Sequence, residues 1–179
     1  ELDRGVSRHR PRGAPELLGG KHPLIQTGDV SRSGGYIRQF TATYSDIGLA
    51  QSKKWPVGTL CITIAANIAE TGILTFDACF PDSVVGFTPN QTSNVEFVQE
   101  LVRFLREILE ERAPQVAQKN INLAILRELP ITIPPADSQH QFARVAARIE
   151  HQKRSLQHHA NQLDILFASL QHRAFAGAL

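Results

Sequence analysis

The sequence predicts an α+β chain (mixed α/β): a globular unit of short, largely antiparallel strands with helices, followed by one long projecting helix of coiled-coil type. Three observations carry this expectation. The first 90 residues hold short apolar runs punctuated by Gly, Pro and Asp, the pattern of strands and turns. From Ser93 the apolar period becomes helical. After Pro134-Pro135 no Pro or Gly interrupts the chain until Gly177, and apolar residues recur every seven positions. The expected division is a globular domain over 1–136 and a helix over 137–179.

Bulk composition agrees with a folded chain. Of 179 residues, 42% are hydrophobic and 20% charged, which argues against a disordered or fibrous protein. The length suits one domain of about 130 residues plus an extra element. No apolar run approaches the roughly 18 residues that span a bilayer, and the N-terminus lacks a signal-peptide core. With no methionine in the sequence, residue 1 is not expected to be the natural start, so part of the gene product is expected to be missing. Cys61 and Cys79 sit in apolar runs and fit no metal-ligand spacing. They read as small buried hydrophobes in a reducing cytoplasm.

The elements follow in order. Residues 1–22 lack apolar periodicity and are rich in Gly, Pro and Arg, which predicts an ordered loop or a mobile arm. PLIQTGDV (23–30) reads as a short strand ending in a turn, and SRSGGYI (31–37) as a Gly-rich turn into the next strand. TLCITIAA (59–66) is a buried strand; ILTF (73–76) and VVGF (84–87) are short strands around the turn Pro81-Asp82-Ser83. Ser93 with Glu96 forms a capping box for a helix that carries Phe97, Val98, Leu101, Val102, Leu105, Ile108 and Leu109 and is closed by Pro114. A loop around Lys119-Asn120 and a short helical turn lead to an expected strand, LPITIP (129–134).

Ser138 and Gln141 make a second capping box, opening a helix to residue 176 that is roughly 58 Å long. Phe142, Ile149, Leu156, Leu163 and Leu170 repeat every seven residues. Four positions after each stand Ala146, Lys153, Ala160, Phe167 and Ala174. This is a heptad seam with one face of small residues, suited to close pairing with another long helix.

Catalytic patterns are absent. Five of the seven histidines lie on the long helix, with His151, His158 and His172 on one stripe away from the seam, and lack the i,i+4 pairing of helical zinc sites. No Glu fits the Glu-x-Lys pattern of the common metal-dependent nuclease core, and no Gly-x-Gly-x-x-Gly or Walker A loop occurs. Ile133-Pro134-Pro135-Ala136 lacks the Asn and the aromatic residue of the amino-methyltransferase motif. The chain is therefore read as non-catalytic, with no metal and no cofactor of its own.

The net charge of +2 conceals a split: residues 1–60 sum to +4, residues 61–128 to −4 and the remainder to +2. The first segment also holds both tyrosines, the tryptophan and many hydroxyl side chains, the groups that phosphate and base-edge contacts use.

Several segments in order are similar to the specificity subunit of type I restriction-modification systems. DRGVSRHRPRGAPELLGGKHPLIQTGDVS (3–31) resembles the opening of a target recognition domain and GLAQSKKWPVGTLCITIAANIAETGILTFDACFPDSVVGF (48–87) its middle. QKNINLAILRELPITIPPADSQHQ (118–141) resembles its junction with the spacer helix, and LFASLQHRAFAGAL (166–179) the subunit's ending. The resemblance implies a protein in which two recognition domains each read half of a split DNA target, held apart by two antiparallel helices. Methyltransferase (modification) subunits, which bind S-adenosylmethionine, dock on that scaffold. This chain has one domain and one helix, either a natural half-subunit or a fragment, so a homodimer through the helix seam is expected, reading a palindromic split target. The partners implied are double-stranded DNA and modification subunits, with no membrane, in the cytoplasm.

Candidate DNA-binding residues follow. Ser7, Arg8, His9, Arg10 and Arg12 form the densest basic cluster, the alternative being a solvated arm. Lys21 adds a cation. Gln26, Thr27, Ser31, Arg32, Ser33 and Tyr36 offer polar groups around Gly-rich turns, the alternative being plain turn chemistry. Lys53 and Lys54 read as phosphate contacts or exposed charge. Lys119 and Asn120 lie in a family-like segment, where Asn120 equally suits a helix cap. Asn67 reads as structural, with a base contact left open, and Trp55 as packing. Two other readings stay open: the recognition portion of a fused restriction-methylation enzyme, and a coiled-coil assembly module whose head binds protein.

Overall fold

The computed structural model describes residues 1–65, 67–112, 121–129 and 131–177. They form two compact units, Glu1–Gln139 and His140–Leu179.

In the first unit, β1 (Leu2–Arg4), β6 (Leu60–Thr63), β7 (Thr71–Leu74), β9 (Val84–Phe87) and β3 (Tyr36–Ile37) make a five-stranded sheet in the order β1-β9-β6-β7-β3. A second sheet runs β4 (Ala42–Tyr44), β2 (Leu18–Leu24), β8 (Ala78–Cys79) and β5 (Lys54–Trp55). Pairing is antiparallel except for β3 with β7 and β2 with β8, so the expected largely antiparallel α+β class holds.

Residues of β6 alternate between two cores. Leu60 and Ile62 pack with Ile73, Val85, Val102, Leu109 and Leu126, on the side of the helices. Cys61 packs the other way, with Ile25, Val30, Trp55 and Phe80. A strand covered on both faces must be apolar throughout, which is why the run TLCITI stands out in the sequence. Both cysteines are buried, as expected; burial pushes the Cys61 thiol well above its ordinary range. Trp55 is buried and stacked on Phe80 at 4.9 Å, the packing role expected of it.

Helices α1 (Thr27–Ser31), α2 (Asp46–Ala50), α3 (Val95–Phe104), α4 (Arg106–Arg112) and α5 (Leu123–Arg127) complete this unit. Buried Gln99 on α3 donates from Nε2 to the Gly35 carbonyl at 2.7 Å, and Arg103 donates from Nε to Thr71 Oγ1 at 3.1 Å. These bonds tie the helix to the sheet edge. Gly34 and Gly35 supply the positive φ of the turn before β3, as the SRSGGYI reading requires.

The structure corrects several expectations. Residues 1–22 are not an arm. Leu2–Arg4 pairs with β9 at a sheet edge and Leu18–Leu24 is a full strand between β4 and β8, because main-chain N–H and C=O groups pair without any apolar alternation of the side chains. The polar segment after Leu24 is helical from Thr27: Asp29, three residues past Gln26, accepts from the Gln26 N–H at 3.0 Å and closes that turn. The cap of α3 is Asn94, whose Oδ1 accepts from Phe97 N at 2.8 Å, rather than Ser93. No described residue of 129–134 lies in a strand; Ile131 and Ile133 are exposed, and the prolines in this stretch lack the N–H a ladder needs.

The long helix α6 is continuous over Ala136–Phe175, 40 residues or about 60 Å. It begins before Ser138: Gln139 N donates to the Pro135 carbonyl at 3.2 Å, leaving Ser138 inside the first turn and not at the cap. In the second unit every residue from His151 to Gly177 is exposed. Among the described residues no helix is long and apolar enough to cross a membrane.

Candidate nucleic-acid interface

The basic cluster near the N-terminus is held by short-range chemistry. Gln51 Oε1 accepts from the backbone N–H groups of Arg8 (2.7 Å) and His9 (2.9 Å), and Ser7 bridges to Ser52. This bends the 7–12 loop back on the domain. Arg10 donates to the carbonyls of Ser7 and His9 at 2.6 and 2.9 Å. The carboxylate of Asp82, in the turn before β9, takes Arg10 at 3.5 Å on one oxygen and Arg12 on the other, while its carbonyl accepts from Arg4 Nε at 3.0 Å. Three arginines thus converge on one turn, and their guanidiniums remain at the surface.

A cleft of about 300 Å³ joins this cluster to the second one. Arg12, Gln26, Thr27, Pro81 and Ser83 line it over a floor that includes Leu24 and Tyr44. Behind it, Ser31 Oγ donates to the Thr27 carbonyl at 3.1 Å and accepts from Asn67 Nδ2 at 3.4 Å. Asn67 is exposed, and its amide reaches back to Ser31 across 36 residues of chain.

A neighbouring cleft of about 220 Å³ is lined by Asp29, Arg32, Ser33, Tyr36, Arg38 and Phe40 among others. Asp29 is buried there and fully occupied: it accepts from Gln26 N, from Thr41 Oγ1 at 3.0 Å and from Arg32 Nη2 at 3.2 Å. The Tyr36 hydroxyl reaches Glu96 at 3.2 Å and the Arg38 guanidinium lies 5.1 Å over its ring. Ser33 donates to the Thr71 carbonyl at 3.4 Å.

The candidate residues therefore divide. Arg12, Gln26 and Thr27 line one cleft, with Arg10 beside Arg12 on Asp82, and Arg32, Ser33 and Tyr36 line the next; Arg8 and His9 belong to the same N-terminal loop, held by Gln51. Ser7 is 7% exposed, so its side chain is not a surface contact; the bridge to Ser52 draws it inward. Lys21 pairs with exposed Asp46 at 3.4 Å, beside His22 Nε2 at 2.8 Å from the same oxygen. Those two partners hold the Asp46 carboxyl below its ordinary range, His22 first. Lys53 lies 3.8 Å over the Trp55 ring and 3.3 Å from Glu1, which makes it a packing cation, while Lys54 is exposed. Lys119 and Asn120 fall outside the described residues.

Sequence reasoning missed Asp82, Gln51 and Arg38. Asp82 reads as a turn residue, and its role becomes visible only when the turn meets a loop some 70 residues earlier. Arg38-Gln39-Phe40, a cation, an amide and an aromatic side by side and exposed, is a signal that the sequence does carry.

The acidic segment also changes meaning. Glu70 and Glu110 both pair with Arg106, at 2.6 and 2.8 Å, and Glu100 pairs with Arg103 at 2.6 Å. These glutamates are thus committed to arginines of the same segment, while Asp82 meets Arg10 and Arg12 of the basic one.

Residues 7–163 match the family model of the type I restriction modification DNA specificity domain. The chain belongs to this family. Among solved structures, it resembles a chain from a study of complex assembly and conformational transition of the type I R-M system, with a TM-score of 0.72 at 17% identity, covering 100% of this chain and 44% of that one. It also resembles the HsdS subunit from Thermoanaerobacter tengcongensis, with a TM-score of 0.68 at 17% identity and 43% of that chain covered. The S subunit of the type I system from M. genitalium gives 0.60 at 15% identity, covering 98% of this chain and 43% of that one. At these identities the likeness is one of fold. The specificity-domain chain spans less than half the length of each of these relatives.

Proposed function

We propose that this specificity-domain chain recognises one half of a bipartite DNA target and, through α6, sets half-site spacing and scaffolds methyltransferase subunits. The observation that supports it most directly is that, within a specificity-domain fold, Arg12, Gln26 and Thr27 line one surface cleft, with Arg10 beside Arg12 on Asp82. Guanidiniums grip phosphate or pair bidentately with guanine, and an amide beside them suits adenine. The chain acts as a non-catalytic recognition subunit in the cytoplasm. It needs no cofactor of its own; S-adenosylmethionine is the partner methyltransferase's.

The long helix carries the second part of the reading. Ile149, Leu156, Leu163, Phe167 and Leu170 keep between 42 and 68% exposure, an apolar stripe that a homodimer would bury. Two copies then stand in for two recognition domains, and a two-fold pair reads a palindromic split target.

The test is binding of the chain to random-sequence and cognate duplex DNA over a salt series. A log–log salt slope is expected for both, steeper affinity loss marking phosphate contacts. A protein-assembly module would bind neither. Methylation mapping in cells carrying the full system would then read out both half-sites and their symmetry.

A further inference from the structure

We infer that two copies of α6 pair antiparallel in one register, the one that sets Phe142 opposite Ala174 of the second copy. The inference rests on the homodimer reading above and adds to it which residues meet. In that register every seam residue meets another. Phe142 faces Ala174, Ala146 faces Leu170, Ile149 faces Phe167, Lys153 faces Leu163 and Leu156 faces Ala160. Four of the five layers set a large side chain against a small one or a flexible stem, as close packing requires.

Lys153 decides between the alternatives. It is the one charged residue of the seam, and its ammonium lies 2.9 Å from Glu150 on its own helix. A parallel in-register pair would place Lys153 against Lys153. The antiparallel register proposed here brings Asp164 of the second copy beside Leu163, on the same flank as Glu150. The ammonium then sits between two carboxylates that would otherwise repel. Sliding by one heptad either way sets Lys153 opposite Leu156 or Leu170, flanked by Gln157 or Gln171, with no carboxylate from the second copy. Like charges and unpaired seam charges are what fix register in helical pairs. Both Lys153 and Asp164 are exposed in the single chain and so are available to a second copy.

The register predicts a charge-exchange result on the full chain, read by analytical ultracentrifugation. Lys153→Glu alone and Asp164→Lys alone should each weaken self-association by roughly tenfold, since each places like charges together at both ends of the pair. Mixed one to one, the two variants should form a heterodimer of near wild-type affinity. In that mixed pair the glutamate introduced at position 153 of one chain meets the lysine introduced at position 164 of the other. The native Lys153 and Asp164 that remain, one on each chain, meet at the opposite end. A Gln157→Cys variant should also couple to itself with a short bis-maleimide, since position 157 meets its own copy across the axis, whereas Gln171→Cys should not. Cys61 and Cys79 are buried and stay silent. A monomeric wild type would overturn the dimer and the register together. A stable dimer with no preference for the mixed pair and no coupling at 157 would overturn the register alone.

Discussion

The Arg10 guanidinium stands 3.5 Å from the carboxylate of Asp82, whose other oxygen is taken by Arg12. One aspartate in a turn before β9 thus organises two cations of the N-terminal loop and also competes with any phosphate for them.

That relationship predicts opposite effects for its members. Arg8→Ala, Arg10→Ala and Arg12→Ala together should weaken binding to any duplex and lower the salt slope by about one for each phosphate no longer engaged. Asp82→Asn should raise affinity for random DNA by releasing the arginines, while reducing discrimination between cognate and random duplex. Fluorescence anisotropy over a salt series measures both, and unchanged affinity in the triple variant would refute the role of the cluster.

A buried amide anchors the start of α6. Gln139 is 1% exposed; its Oε1 accepts from Asn94 N at 2.9 Å and its Nε2 donates to the carbonyls of Thr92 and Pro134 at 3.1 and 2.8 Å. Gln139→Ala should cost about 3 kcal/mol, since three backbone groups lose their buried side-chain partner. Urea denaturation followed by the fluorescence of Trp55, the chain's one tryptophan, gives the value. A loss below about 1 kcal/mol would mean that water replaces the amide.

Helix propensity and packing disagree at Gly48. In a helix interior Gly→Ala is ordinarily worth about 1 kcal/mol of stabilisation. A Cβ on Gly48 would lie 2.2 Å from the Leu17 carbonyl oxygen and 2.7 Å from the Tyr44 ring. Gly48→Ala should therefore destabilise by about 2 kcal/mol or more, as overpacking does. The melting temperature should fall; a rise would show that α2 can move away from Tyr44.

The Asp46 pair predicts an acid limb. Because the folded carboxyl is held below its ordinary value of 3.8, the pair contributes stability that is fully present above that value. It is lost as pH falls through the lowered folded value. Asp46→Asn should lower stability slightly at neutral pH, match the parent chain in acid and so flatten the stability curve below about pH 4. Chemical denaturation at several pH values tests the sign.

Much of the fold was legible because apolar period and turn chemistry are local. The buried β6 run, the turns at Gly34-Gly35 and Pro81-Ser83, the amphipathic α3 and the uninterrupted α6 each write their pattern into neighbouring residues. The misread elements are those whose reason lies elsewhere. β1 is a strand because β9 offers it an edge, and Asn94 rather than Ser93 caps α3 because Gln139 holds the Asn94 N–H.

The site divides the same way. Residue type marked the arginines and polar turns as candidates, and their order along the chain carried the family resemblance. Which of them share a surface depended on long-range pairing. Ser7 was drawn inward by Ser52, Lys53 was laid over Trp55, and Lys21 was taken by Asp46. Fold class, the helix with its heptad seam, and the pool of cationic and amide side chains are all written in residue order. Folding alone decides which members of that pool share a surface and which carboxylate each cation meets. An ion pair between residues 70 positions apart leaves no local pattern to read.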